Sequence, residues 1–357
     1  MQARFICLLA GVSGVATGAT AGGVERSPNS VSILFEQGNY AEVTLGYGSP
    51  DVSGSAFGGA SGDMLSGYLT YSLGIKQALS EKLDLAIILN EPIGADIDYP
   101  TGTGYVLQGT TANLQAAAVT ALLRYKLPSN VSVYGGLRAE QAKGDVTIVA
   151  PLLGIPSYNL ATDRVTDWGY IVGAAWEKPE IAARVALTYV SSITHTLQST
   201  ENGFATGSFE TEVPQSLNLE FQTGVAANTL LFGSIRWQEW SAFDISPAAY
   251  IGIVGSPLVS YQSDRITYNL GIGRKFSETW SGAITLGYEP SNGDITGNLG
   301  PVDGFKSIGV AASYTHDNIK ITGGVSYFDI GDTTTTIGAN FTDNTAIAAG
   351  VRVGVSF

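Results

Sequence analysis

Polar and apolar positions alternate residue by residue along much of this chain. At residues 347–357 the apolar set is Ile347, Ala349, Val351, Val353, Val355 and Phe357, and the small or polar set is Ala348, Gly350, Arg352, Gly354 and Ser356. An extended strand sends successive side chains to opposite faces, so this pattern predicts a strand with one oily face. The same period recurs where Ala41, Val43, Leu45 and Tyr47 flank Glu42 and Thr44, and where Leu65, Leu69, Tyr71, Leu73 and Ile75 oppose Ser66, Thr70, Ser72 and Lys76. It returns with Leu231, Ile235 and Trp237, with Ile266, Tyr268, Leu270 and Ile272, and with Ile319, Ile321, Val325 and Tyr327. Helical spacing fits none of these as well. Fourteen such segments start near residues 41, 65, 82, 112, 131, 165, 180, 206, 228, 264, 279, 305, 318 and 345. The number is even, as bacterial single-chain membrane barrels require.

The connections alternate in length. Short ones fall near 79–81, 127–130, 178–179, 226–228, 277–278 and 316–318, and long ones near 48–64, 92–111, 144–164, 194–205, 241–263, 289–304 and 329–344. Short turns at one rim and long loops at the other are the membrane-barrel pattern. Soluble up-and-down barrels close with fewer strands. The expected fold is therefore all-β: a transmembrane antiparallel barrel of about fourteen strands, with the last strand closing against the first. Trp168, Trp176, Tyr189, Trp237, Trp240, Trp280 and Tyr288 lie near strand ends, where interfacial aromatic girdles sit.

Composition narrows the class further. Charged residues make up 14% of the chain and the net charge is -13, against about 25% charged in ordinary soluble domains. Outside the N-terminus there is no apolar run long enough for a membrane helix. The acidic balance gives no basic stripe for nucleic acid. At the N-terminus, Arg4, the apolar run Phe5–Val12 and Ala19-Thr20-Ala21 read as a signal peptide over 1–21. A short segment, 22–39, then precedes a barrel over 40–357. The single cysteine, Cys7, lies in the segment to be removed, so no disulfide or thiol chemistry is expected. No metal-ligand cluster or nucleotide-binding loop is present in the sequence, and no cofactor is expected.

Four motifs occur in order along the chain: Tyr189 to His195 (YVSSITH), Val213 to Leu217 (VPQSL), Trp237 to Asp244 (WQEWSAFD), and the paired segments Tyr268 to Glu289 with Thr279-Trp280 at their turn. Together they resemble the long-chain fatty acid transporter (FadL) family of outer-membrane proteins. The resemblance spans most of the chain after residue 21. It implies an N-terminal hatch inside the barrel and a kinked third strand that opens a sideways exit. The chain departs from the family in the hatch: the usual Asn-Pro-Ala motif is missing, and 22–39 is short. Ile33, Leu34 and Phe35 are the residues left to fill the lumen as a shortened hatch.

An apolar solute gains about 25 cal/mol for each Å² taken out of water, so apolar residues in long loops mark candidate capture surfaces. Two loops carry them: Leu152, Leu153 and Ile155 in one, and Tyr250, Ile251, Ile253, Val254 and Leu258 in the other. Asn90, Pro92 and Gly94 end the third strand and are the candidate kink, because proline removes a ladder donor and glycine permits a bend. Glu42, Lys76, Arg184, Glu220, Arg236, Lys320 and Arg352 share the polar face and are expected to pair inside the lumen. Arg236 and Arg352 could also hold a carboxylate head group through two parallel hydrogen bonds. His195 follows Ser191 and Ser192 with no paired segment to orient it, so no enzyme is expected. These readings predict an outer-membrane passive transporter for hydrophobic small molecules such as long-chain fatty acids. The alternatives are a general diffusion porin for polar solutes or a structural or adhesive surface barrel. Expected partners are the hydrophobic ligand, outer-membrane lipid and lipopolysaccharide, and the barrel-assembly machinery through the C-terminal strand.

Overall fold

Each alternating segment forms a strand in the computed structural model, which describes residues 24–27 and 30–357. The expected signal segment, 1–21, lies outside the described residues. The wall strands are β1 Tyr40–Asp51, β2 Tyr68–Ala78, β3 Leu83–Asn90, β4 Thr111–Lys126, β5 Val131–Ala150, β6 Val165–Lys178 and β7 Ala183–Val190. They continue with β8 Ser216–Ala226, β9 Thr229–Gln238, β10 Arg265–Lys275, β11 Trp280–Glu289, β12 Phe305–His316, β13 Ile319–Ile330 and β14 Asn344–Ser356. Every neighbour is antiparallel. β1 pairs with β2 on one side and with β14 on the other, Tyr40 facing Ser356, so the fourteen-strand sheet closes into a barrel with no free edge.

The outward set is apolar: Leu45, Leu137, Val310 and Ile347 are 53, 61, 57 and 53% exposed. The inward set holds Lys76, Arg138, Glu140 and Arg236, all buried. This is the reverse of a water-soluble core. Acyl chains solvate the outer face, whereas a charge facing lipid at mid-depth would cost about 2–4 kcal/mol. The barrel is therefore a multi-pass outer-membrane barrel. At the short-turn rim, Asn130, Asn228 and Asp317 adopt φ of 60, 59 and 51°, the left-handed conformation that Asn and Asp tolerate best among side-chain-bearing residues.

The long connections differ from expectation in three places. Residues expected as loops near 144–164 and 194–205 continue the wall as hairpins: β5 runs to Ala150 and returns through Ile155–Thr162, and Ile193–Glu201 pairs with Phe204–Val213. The eighth segment, expected from 206, is divided, because Pro214 cannot donate to a ladder and separates Phe204–Val213 from β8. The 241–263 loop holds a helix, α1 Ala248–Val254. Trp240 is not in a girdle. It is buried against Phe243 and Tyr261, with ring centres 5.6 and 5.3 Å away. Trp168, Trp176, Trp280 and Tyr288 do face outward.

The interior is layered. A cluster around Val52, Met64, Tyr99, Tyr105, Tyr158 and Phe341 lies under the long loops. A middle cluster gathers Ile93, Ile193, Val213, Trp240 and Phe243. A third, with Leu34, Leu122, Tyr134 and Ile171, lies toward the short-turn rim.

Candidate functional site

The lower layer is built by the N-terminal segment. Ser32–Phe35 forms a single 3-10 turn whose Ile33 and Leu34 are buried inside the barrel among Ala86, Leu122, Tyr134 and Ala186. So short a helix leaves carbonyls unpaired, and buried ones must find donors. The wall supplies them. Arg124 donates from Nη1 to the Leu34 carbonyl at 2.9 Å, and Lys76 Nζ donates to the carbonyls of Glu36 and Gly38 at 2.8 and 2.9 Å. The guanidinium groups of Arg124 and Arg184 lie over the Phe35 ring at 4.5 and 4.4 Å. Asp84, fully buried, balances this charge through Lys76 and Lys126 at 3.2 and 2.8 Å. The expected hatch residues thus come together as a docked turn. Of the expected luminal charges, Arg352 lies beside Glu42, whereas Lys76 and Arg236 pair with Asp84 and Glu25, and Lys76 also holds this segment.

The third strand ends at Asn90, and Pro92 and Gly94 lie at the interruption that follows. β3 pairs with β2 from Ala78–Asp84 up to Ser72–Asn90. Beyond Asn90 the chain resumes as Gly94–Asp98, which pairs with β4, Gly94 facing Gln115. The other side of the wall rejoins only at the Leu65–Ile97 bridge, with Ser66 N–H donating to the Asp96 carbonyl at 3.1 Å. Between these points no ladder pairing joins Tyr68–Tyr71 to Glu91–Ala95 among the described residues.

Residues 24–27 cover this interruption. Gly94 N–H donates to the Val24 carbonyl at 2.8 Å and Arg26 N–H to the Pro92 carbonyl at 2.9 Å. Ser27 Oγ donates to the Glu91 carbonyl at 2.6 Å and accepts from Asn90 Nδ2 at 2.9 Å. The Arg26 guanidinium stacks 3.6 Å over the Tyr68 ring and reaches Asp96 at 2.7 Å. Gly94 allows a close approach: a Cβ there would lie 3.0 Å from Arg26 Nε and 3.1 Å from the Leu114 carbonyl, so these neighbours would have to give by a few tenths of an ångström. Glu25 forms an ion pair with Arg236 of β9.

Two cavities meet at this segment. Above it is an apolar one of about 60 Å³ lined by Val24, Ile93, Leu114, Phe209, Phe243 and Leu299 among others, with His195 the one titratable side chain on its wall. Beneath it the lumen opens to about 250 Å³ and is mixed, with Glu25, Arg26, Glu42, Glu220, Arg236 and Arg352 on its wall beside Ile33, Phe221, Phe232 and Phe328. His195 is held from both sides: Nδ1 lies 2.9 Å from Asp167 and Nε2 3.5 Å from Glu140, which Arg138 also engages at 2.8 Å. Ser191 Oγ accepts the Tyr170 N–H at 2.9 Å. Arg352 donates to Thr44 Oγ1 at 3.1 Å and lies 3.8 Å from Glu42.

The candidate capture residues divide. Tyr250 and Leu258 are buried, Leu153, Ile155 and Val254 pack at the edge of the outer cluster, and Leu152 and Ile253 are exposed by 75 and 41%. Glu201 fixes α1 in place. Its carboxylate accepts the N–H groups of Ala249 and Tyr250 at 3.0 and 3.1 Å and the Tyr158 hydroxyl at 2.7 Å. Burial alone would raise the Glu201 pKa, but the bonds from Thr206, Tyr158 and those two amides outweigh it and hold the carboxyl below its ordinary value. The Trp237–Asp244 motif floors this loop: Trp237 Nε1 donates to Asp264 at 3.0 Å, and Trp240 and Phe243 enter the middle cluster.

Sequence reasoning passed over Val24, Glu25, Arg26, Ile93, Arg124 and Glu201. One signal for the N-terminal pair was present: Glu25, Arg26 and Glu36 are the only charges in 22–39.

No family model matches the chain, and no curated protein matches it. Solved structures do. A Pseudomonas aeruginosa FadL homologue superposes with a TM-score of 0.77 at 13% identity, covering 100% of this chain and 98% of that one. The Pseudomonas putida toluene transporter TodX gives 0.65 at 12% identity, covering 100% and 98%. The Ralstonia pickettii toluene transporter TbuX gives 0.65 at 13%, covering 97% and 99%. At these identities the likeness concerns the fold, and the fold of this chain is that of the FadL-type outer-membrane barrels.

Proposed function

We propose that the protein is a passive outer-membrane transporter for hydrophobic small molecules. The observation that carries this reading is the apolar cavity beneath the outer loops. It is bounded below by Val24 and on the wall side by Ile93, at the break in the third strand. A polar solute gains nothing there, whereas an apolar one gains about 25 cal/mol for each Å² it removes from water. The likeness to two toluene transporters and to the FadL homologue supports the same class. Within that class, long-chain fatty acids are the substrates we expect. Ligand would first meet the exposed Leu152 and Ile253, then pass α1 into the cavity. It would leave through the interrupted wall at Asn90, Pro92 and Gly94 once residues 24–27 withdraw. No energy source is required, since transport runs down a gradient. The general-porin alternative needs an open lumen, and the Ser32–Phe35 turn with its Arg124 and Lys76 anchors stands in the way. Residues 1–21 are proposed to be a signal peptide, which N-terminal sequencing of the exported protein checks.

Planar-bilayer recording tests the reading directly. The transporter predicts little steady conductance for small ions. A stable, high single-channel conductance from the purified barrel would support the porin instead.

A further inference from the structure

The wall has a second interruption, between β6 and the strand Ile193–Glu201. Below it β6 pairs with β7 up to Ile171–Val190, and Ser191 N–H donates to the Tyr170 carbonyl at 3.0 Å. Above it the two sides rejoin, with Asp163 N–H donating to the Gln198 carbonyl at 3.0 Å and Thr162 paired with Ser199. No ladder pairing joins residues 164–169 to 192–197 among the described residues. The cause is a conflict of register. Both flanking ladders share one register, which would set Asp167 against Thr194 and Gly169 against Ser192. The side chains follow another, one residue out. His195 Nδ1 meets Asp167 at 2.9 Å, and Ile193 covers Gly169, where a Cβ would lie 2.7 Å from its Cγ1. A slip of one residue exchanges a strand's two faces, so the backbone held by the flanking ladders cannot pair where these side chains do. Tyr170 N–H takes Ser191 Oγ instead, at 2.9 Å.

This seam is apolar within and polar without. Thr162, His195 and Leu197 on its rim line the apolar cavity. Thr166, Thr194, Thr196 and Gln198 alternate with them and are exposed. Trp168, 67% exposed, faces outward at the lower end, as interfacial aromatics do. The seam therefore stands where acyl chains give way to head groups, a depth at which water satisfies backbone groups that hydrocarbon would not tolerate.

We infer that the seam is a side entrance, through which a hydrophobic compound lodged at the outer surface of the membrane reaches the apolar cavity without crossing the loop that holds α1. This rests on the transport reading and goes beyond it. Side chains alone close the passage. Asp167 lines neither the cavity nor the lumen and keeps 37% of its side chain exposed, whereas His195 is fully buried. The pair thus spans the seam from its wet side to its oily side. His195 has a second partner in Glu140, 3.5 Å from Nε2, which Arg138 engages at 2.8 Å. Rotating Asp167 away from His195 therefore unlocks the seam, breaks no backbone hydrogen bond and leaves the imidazole anchored inside.

Cysteine cross-linking tests this, because Cys7 is the only cysteine in the sequence and lies in the segment expected to be removed. Thr166→Cys with Thr196→Cys clamps the seam from its exposed side and disturbs no packed residue. A short bifunctional methanethiosulfonate joins the two thiols if they do not oxidise directly. Ala174→Cys with Leu187→Cys, a pair already opposed in the ladder of β6 and β7, is the control. The readout is the initial rate of radiolabelled oleate uptake by cells carrying each pair, cross-linked and then reduced. Clamping the seam should slow uptake severalfold and reduction should restore it, while the control pair should show no change. Asp167→Ala, which removes the latch carboxylate and no other bond among the described residues, should raise the rate, and an unchanged rate there removes the latch. Equal rates with the seam clamped and reduced, both above those of cells lacking the protein, overturn the side entrance while the transport reading stands. Rates no higher than in those cells, clamped or reduced, overturn both.

Discussion

Individual residues in this barrel are set by the solvent each face meets. Leu34 is fully buried at the centre of the docked turn. Leu34→Ala should weaken that docking by about 2–5 kcal/mol, and the expected readout is a rise in bilayer conductance with wall assembly unchanged. Glu201 offers a pH test. Its folded pKa lies below the ordinary value, so it contributes stability above the unfolded pKa of about 4.3, and that contribution disappears as pH falls through the depressed folded value. Limited proteolysis should find α1 protected at neutral pH and cleaved once the pH has fallen through the depressed folded pKa. Glu201→Gln should be cleaved at neutral pH too. At this scale the sequence was legible where periodicity governs and illegible where partners come from far away. Leu45 or Ile347 could be placed outward from neighbours two residues off. The pairing of Glu25 with Arg236, 211 residues apart, leaves no trace in local spacing.

Among the elements, strands were far easier to read than what fills them. The fourteen wall strands follow from the period of two, and the break in β3 follows from Pro92 and Gly94, whose backbone chemistry is intrinsic. The outer hairpins were missed because their alternation is the reverse of a membrane strand's: Asn159 and Thr200 face outward, while Ile148, Tyr158 and Leu160 are buried inside. Their outward faces stand above the lipid, so nothing selects an oily alternation there. Loop 241–263 shows the converse. Its apolar run marked it as unusual, and part of that run, Tyr250 and Leu258, is used for packing. Because Ile245 pairs with Val259 and accepts the Leu258 N–H at 2.9 Å, the ends of α1's loop are adjacent. Replacing 246–257 by two glycines should cut uptake of hydrophobic compounds while the barrel still shows heat-modifiable electrophoretic mobility. Unchanged uptake would remove this loop from the capture surface.

For the molecule as a whole, the decisive feature is an interior that passes from an almost wholly apolar cavity under the loops to a mixed, charge-bearing lumen, with the N-terminal segment at the boundary. The closed sheet gives rigidity, since every wall strand has two neighbours, and it confines the weak points to the break in β3, the seam beside β6 and the segments docked within. On the proposed reading, a ligand would pass by local rearrangement at these points, with no paired wall strands separating. The measurement that tests this account most directly is the initial rate of radiolabelled oleate uptake by cells whose outer membrane contains or lacks the protein. Uptake should rise with the protein present and saturate with oleate concentration, and a hydrophilic sugar of similar mass should enter no faster. Equal oleate rates in both cells, or a matching increase for the sugar, would contradict a carrier for hydrophobic compounds.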